Sequence, residues 1–67
     1  MNYLKQKLIE KHITQSELAR RTGISRQYIS QLCNEKRKFA NVKIDKVYDI
    51  AIALDVKISE LIIEMLE

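Results

Sequence analysis

The 67-residue sequence contains no proline, one glycine and one cysteine, and its apolar runs are short. The scarcity of the two main turn-forming residues favours an all-α fold over a turn-rich β fold. A single cysteine, Cys33, cannot form a disulfide within the chain, which is typical of a reducing, cytoplasmic setting. No run approaches the roughly 20 apolar residues of a membrane helix, and no signal-peptide pattern opens the chain, so we expect no membrane partner.

Catalytic and metal-binding patterns are missing as well. The chain has no Gly-rich phosphate loop and no set of nucleophile, base and orienting group, and it is too short to enclose a substrate pocket. Cys33 and His12 are the only cysteine and the only histidine and lie 21 positions apart, so they do not indicate a zinc site. We therefore expect no enzyme, no cofactor, no metal and no small-molecule ligand.

Charge is distributed unevenly along the chain, although the net charge is only +3. Residues 1–38 hold nine Lys and Arg against three acids, whereas residues 39–67 hold three bases against six acids. A basic front half indicates a polyanionic partner.

Apolar spacing predicts five helices in a single domain over residues 1–67. The expected ranges are about 2–11, 14–22, 25–34, 43–54 and 58–66, with a basic, irregular stretch over 35–42. Thr14 and Glu17 have the spacing of a capping box in which each side chain bonds the other residue's N–H, and Gly23 supplies a left-handed helix end. Several other helix-end and core positions follow from the same patterns: caps at Asn2, Ser25 and Asn41, left-handed turns at His12 and Asp55, and core residues Ile44, Val47, Ile50, Ala51, Leu54, Ile58, Leu61, Ile62 and Met65.

The third helix carries the functional signal. At about 100° per residue, Ile29 and Leu32 fall on its inner side, flanked by Tyr28 and Cys33. The outer side holds no acid: its members are Arg26, Gln27, Ser30, Gln31 and Asn34. Arginine can bond guanine O6 and N7, and glutamine can bond adenine N6 and N7, so this side predicts a helix that reads base edges in the major groove.

The stretch TQSELARRTGISRQYISQL, from Thr14 to Leu32, closely resembles the phage-repressor type of helix-turn-helix, the Cro-like or xenobiotic-response-element family. The resemblance covers nearly the whole chain, because LKQKLIEKHI resembles the family's first helix and VYDIAIALDVKISEL its fourth and fifth. It implies a lambda-repressor-like five-helix domain with the helix-turn-helix over about 14–34. It also implies a sequence-specific transcriptional regulator, with a repressor favoured, acting at the nucleoid of a bacterium or a phage-infected cell.

The resemblance implies a role for each matching residue. Base contacts are expected from Arg26, Gln27 and Gln31, and base or backbone contacts from Tyr28 and Ser30. Phosphate contacts are expected from seven residues: Gln15, Ser25, Asn34, Lys36, Arg37, Lys38 and Lys43. The chain departs from the family's usual pattern in three ways. Cys33-Asn34-Glu35 stands for Glu-Asn-Gly, His12 and Asp55 stand where glycine is usual, and a longer loop without proline precedes the fourth helix.

Apolar residues off the core stripe predict a homodimer. Tyr48 and Ile52 on the fourth helix and Ile63 and Leu66 on the fifth form a candidate interface, which would pair two units on a palindromic duplex.

Other interpretations remain open for several of these residues. The outer side of the third helix and the run Lys36-Arg37-Lys38 can be solvated surface, and Gln15 can be a simple helix former. Cys33 is expected as a packing residue. An interaction module on the same fold, such as an antitoxin-like partner or a phage or plasmid assembly component, is the alternative function.

Overall fold

Five α-helices and one 3-10 turn form the domain in a computed structural model, which describes residues 2–66. The helices are α1 (Tyr3–Glu10), α2 (Gln15–Thr22), α3 (Arg26–Cys33), α4 (Ile44–Leu54) and α5 (Ile58–Leu66), with the 3-10 turn at Phe39–Asn41. The described residues contain no strand, so the predicted all-α five-helix fold is confirmed. Within the same residues, no helix is long and apolar enough to cross a membrane.

Side-chain caps begin the first three helices. Asn2, Thr14 and Ser25 accept hydrogen bonds from the main-chain N–H groups of Lys5, Glu17 and Tyr28 at 2.9, 3.0 and 3.1 Å. The predicted capping box is only half formed. The Glu17 carboxylate does not return to Thr14 but accepts from Arg20 and Arg21 within the same helix. A charged donor one turn away binds a carboxylate more strongly than a neutral amide does.

Left-handed residues end the helices. His12, Glu35 and Asp55 have φ of 57°, 58° and 56°. After α1, α3 and α4, the next N–H bonds back to the carbonyl five residues earlier: Ile13 to Leu8 at 2.9 Å, Lys36 to Gln31 at 2.8 Å and Val56 to Ala51 at 3.1 Å. These bonds define Schellman ends, so His12, Glu35 and Asp55 occupy positions that most often hold glycine.

The core lies where all five helices meet. Its fully buried members are Leu4, Leu18, Ile29, Leu32, Ile50, Leu54 and Leu61. α2 packs on α3 and α4, α4 packs on α5, and α1 packs on α3 and α5. The inward side of α5 is as expected, since Leu61 is buried and Ile58, Ile62 and Met65 pack against the core.

Two predictions around the start of α4 are wrong. Ile44 is 65% exposed and not part of the core. Asn41 does not cap α4, because it closes the 3-10 turn and Lys43 precedes the helix without a side-chain cap. Phe39 and Val42 are buried instead. Their i, i+3 spacing is typical of a turn that packs into the core. The basic residues around them favoured an irregular surface stretch instead, so the sequence did not predict this turn.

Candidate nucleic-acid interface

A tight corner between α2 and α3 sets the direction in which α3 faces. Gly23 has φ 74°, and its N–H donates to the Ala19 carbonyl at 2.9 Å. A Cβ at this glycine would meet no atom within 4 Å, so the positive φ and not a lack of space calls for glycine. Ile24, the next residue, is buried, which anchors the corner in the core.

The Thr22 hydroxyl connects α2 to the residue that follows the turn glycine. It donates to the Leu18 carbonyl at 2.8 Å and accepts from the Ile24 N–H at 3.2 Å. The sequence pattern did not predict this role for Thr22. A hydroxyl directly before a helix-ending glycine was the available signal, because Ser and Thr readily bond neighbouring main-chain groups.

The two sides of α3 differ as the spacing predicted. Ile29, Leu32 and Cys33 are buried, whereas Arg26 and Gln27 are exposed. Tyr28, Ser30 and Gln31 are half-buried. Asn34 caps the C-terminus of α3 and is exposed. The outward side therefore presents guanidinium and amide groups to solvent.

Arg37 folds back from the loop onto α3. Its Nε donates to Gln31 Oε1 at 2.9 Å, and its guanidinium carbon lies 4.2 Å from the centre of the Tyr28 ring. From the sequence, Arg37 was predicted to bind phosphate together with Lys36 and Lys38. The six-residue separation of Arg37 from Gln31 did not indicate a contact between them. The contact depends on the left-handed turn at Glu35, which reverses the chain beside the helix.

Cations dominate the surface around the outward side of α3. Lys36, Lys38 and Lys43 are exposed in the segment that joins α3 to α4. The ion pairs of residues 2–66 all lie within α1 and α2, so the cations of α3 and of this segment have no carboxylate within 4 Å. Gln15 is half-buried in the first turn of α2, and the Ser25 oxygen already accepts from the Tyr28 N–H.

Cys33 behaves as a packing residue, as expected. It is 3% exposed, and burial raises the pKa of its thiol, so the reactive thiolate is disfavoured. The described residues contain no group of three or more potential metal ligands.

The apolar residues predicted for a dimer interface all lie on the surface. Tyr48, Ile52, Ile63 and Leu66 are each more than half exposed. Ile44 joins them, and together with Leu66 it lines a shallow groove whose floor includes Phe39, Val42, Val47 and Ile62. We call the five exposed residues Ile44, Tyr48, Ile52, Ile63 and Leu66 the α4/α5 patch.

The family model of the Cro/C1-type HTH DNA-binding domain matches residues 3–64 of the chain. No curated protein and no solved structure is significantly similar to the chain. The matched residues run from the start of α1 nearly to the end of α5 and include the whole corner and α3. The chain therefore belongs to the Cro/C1-type helix-turn-helix DNA-binding domain family.

Proposed function

We propose that the protein is a sequence-specific transcriptional repressor that places α3 in the major groove of a palindromic operator as a homodimer. The observation that carries the proposal is the outward side of α3, where Arg26 and Gln27 are exposed and no acid is present. An ordinary solvated helix face mixes both signs of charge. A face of guanidinium and amide groups matches the donors and acceptors of base edges.

In this proposal Arg26, Gln27 and Gln31 contact base edges, and Tyr28 and Ser30 contact bases or the DNA backbone. Phosphate binding falls to residues that flank α3 on both sides. These are Gln15, Ser25, Asn34, Lys36, Arg37, Lys38 and Lys43, of which the lysines supply a sequence-independent attraction that weakens with salt. Contacts with phosphate fix the register of α3, and contacts with base edges then distinguish one site from another.

A second copy of the chain is the proposed occupant of the α4/α5 patch. One helix-turn-helix unit reads only a few base pairs, and a two-fold axis doubles the site with half-sites about one helical turn apart. The patch is apolar, whereas the surface beside α3 is basic, so pairing through α4 and α5 leaves the basic surface of each copy free for DNA. A dimer bound in this way represses by covering a promoter, with no further domain needed.

Selection of binding sites from random DNA duplexes tests the proposal. We expect a palindromic consensus for the parent protein. The paired variant Arg26→Ala and Gln27→Ala should lose the consensus, whereas Lys57→Ala, which removes one positive charge just before α5, should keep it. A parent protein that enriches no sequence would refute sequence-specific binding.

The exposed α4/α5 patch also supports a second candidate, a module that binds a different protein as an antitoxin-like or phage or plasmid assembly component. This candidate predicts no enriched duplex and a monomer in isolation. A consensus together with a dimer excludes it.

A further inference from the structure

Arg37 changes what the Gln31 side chain can offer to DNA. A guanidinium group only donates hydrogen bonds, so the amide atom that faces Arg37 Nε must be the oxygen, Oε1, as the 2.9 Å contact has it. The two N–H groups of Gln31 Nε2 therefore point away from Arg37. In this arrangement the free hydrogen-bonding groups of Gln31 are mainly donors.

Two further observations hold Arg37 in this position. Its guanidinium lies over the Tyr28 ring, and Tyr28 is half-buried and packs against the core, so the ring is a fixed platform. A cation over an aromatic ring is attracted by the ring's electron-rich face. No carboxylate of residues 2–66 forms an ion pair with Arg37 and pulls it elsewhere.

The base edge that suits this arrangement is guanine. A free glutamine favours adenine, because its oxygen accepts from N6 and its nitrogen donates to N7. With Arg37 beside Oε1, a positive charge lies next to the place where the adenine N6 donor would bind. Guanine instead presents two acceptors, O6 and N7, to the N–H groups of Gln31.

We propose that Arg37 is a specificity-determining residue, which converts Gln31 from an adenine reader into a donor that selects guanine. The inference rests on the proposed function and deepens it. It replaces the phosphate contact assigned to Arg37 above and separates Arg37 from Lys36 and Lys38, whose side chains are exposed and make no hydrogen bond to α3 among the described residues.

The test measures affinities for a selected half-site and its three alternatives at the base pair that Gln31 faces. Gln31→Ala identifies this base pair, because the preference there disappears in that variant. The parent protein should prefer guanine over adenine by about tenfold. Arg37→Ala should lose this preference or shift it to adenine, and Arg37→Ala on the Gln31→Ala background should change no base preference further.

Lys36→Ala and Lys38→Ala are the matched controls. Each removes one positive charge from the same loop, and each should weaken all four duplexes equally while guanine stays preferred. Circular dichroism of Arg37→Ala should match the parent, since the replaced side chain is exposed.

Three results would overturn the inference alone: equal weakening of all four duplexes by Arg37→Ala, an adenine preference in the parent, or no relaxed position in Gln31→Ala. Each of these leaves a DNA consensus in place. A parent protein without any consensus would instead overturn the proposed function, and the inference with it.

Discussion

Asn2 Nδ2 donates a 2.6 Å hydrogen bond to the main-chain carbonyl oxygen of Leu32, across thirty positions of sequence. The same side chain accepts from the Lys5 N–H and so caps α1. Leu32 lies in the last turn of α3, where carbonyl groups have no partner within the helix. One amide group therefore begins the first helix and holds the end of the helix proposed to read DNA.

Replacing Asn2 should separate these two tasks. Asn2→Ala removes both bonds and should lower the free energy of unfolding by roughly 1–2 kcal/mol. Asn2→Asp keeps a capping oxygen but has no donor for the Leu32 carbonyl. Its free energy of unfolding should therefore lie between those of the parent and Asn2→Ala. Urea denaturation measures the difference, with Gln6→Ala as an exposed control on the same helix. An Asn2→Asp protein as stable as the parent would show that the bond to Leu32 contributes nothing.

Glycine at Asp55 should stabilise the domain. Asp55 has φ 56°, a conformation that strains side chains with a Cβ, and the Lys11 Nζ bond at 3.4 Å goes to its main-chain oxygen, which glycine keeps. Glycine also increases the conformational entropy of the unfolded chain, which offsets part of this gain. The net effect of Asp55→Gly should be a free energy of unfolding about 0.5 kcal/mol higher. Asp49→Gly is the control, since Asp49 lies within α4, where glycine should lower the free energy of unfolding by about 0.3 kcal/mol. Thermal unfolding of Asp55→Gly below the parent's midpoint would contradict the strain argument.

Arg26 and Lys36 should affect DNA binding in different ways. Arg26→Ala should cost about 1–3 kcal/mol on the best duplex and relax the preference at one base pair, because it removes contacts with a base edge. Lys36→Ala should weaken all duplexes alike and flatten the dependence of affinity on salt, because it removes a phosphate contact. Titrations of consensus and altered duplexes at several salt concentrations distinguish the two. A base-specific effect at Lys36 would refute its assignment to phosphate.

Self-association should depend on Ile63 and not on Ile9. Both residues are 59% exposed, but Ile63 belongs to the α4/α5 patch and Ile9 lies on α1. A charge buried in an apolar interface is costly, so Ile63→Asp should shift the protein to monomer, whereas Ile9→Asp should leave the dimer intact. Sedimentation over a range of concentrations measures both. If Ile63→Asp sediments as the parent does at every concentration, the copies do not pair through this patch.

Much of the fold was predictable because helix ends are local. Thr14, Gly23 and Ser25 act through main-chain groups no more than four residues away, and the structure has each of them in its expected conformation. The second half of the capping box failed for an equally local reason, namely that Arg20 and Arg21 compete for Glu17.

Caps, turns and periodicity act over a few neighbouring residues, so the sequence predicted where most helices begin and end, which side of α3 is apolar, and which family the chain resembles. The packing of the folded domain determines that Phe39 is buried and Ile44 is exposed, since burial depends on which elements surround a residue and not on its own hydrophobicity. It also decided that Arg37 lies on Tyr28 and Gln31, because a flexible arginine takes the partner that the folded loop brings within reach.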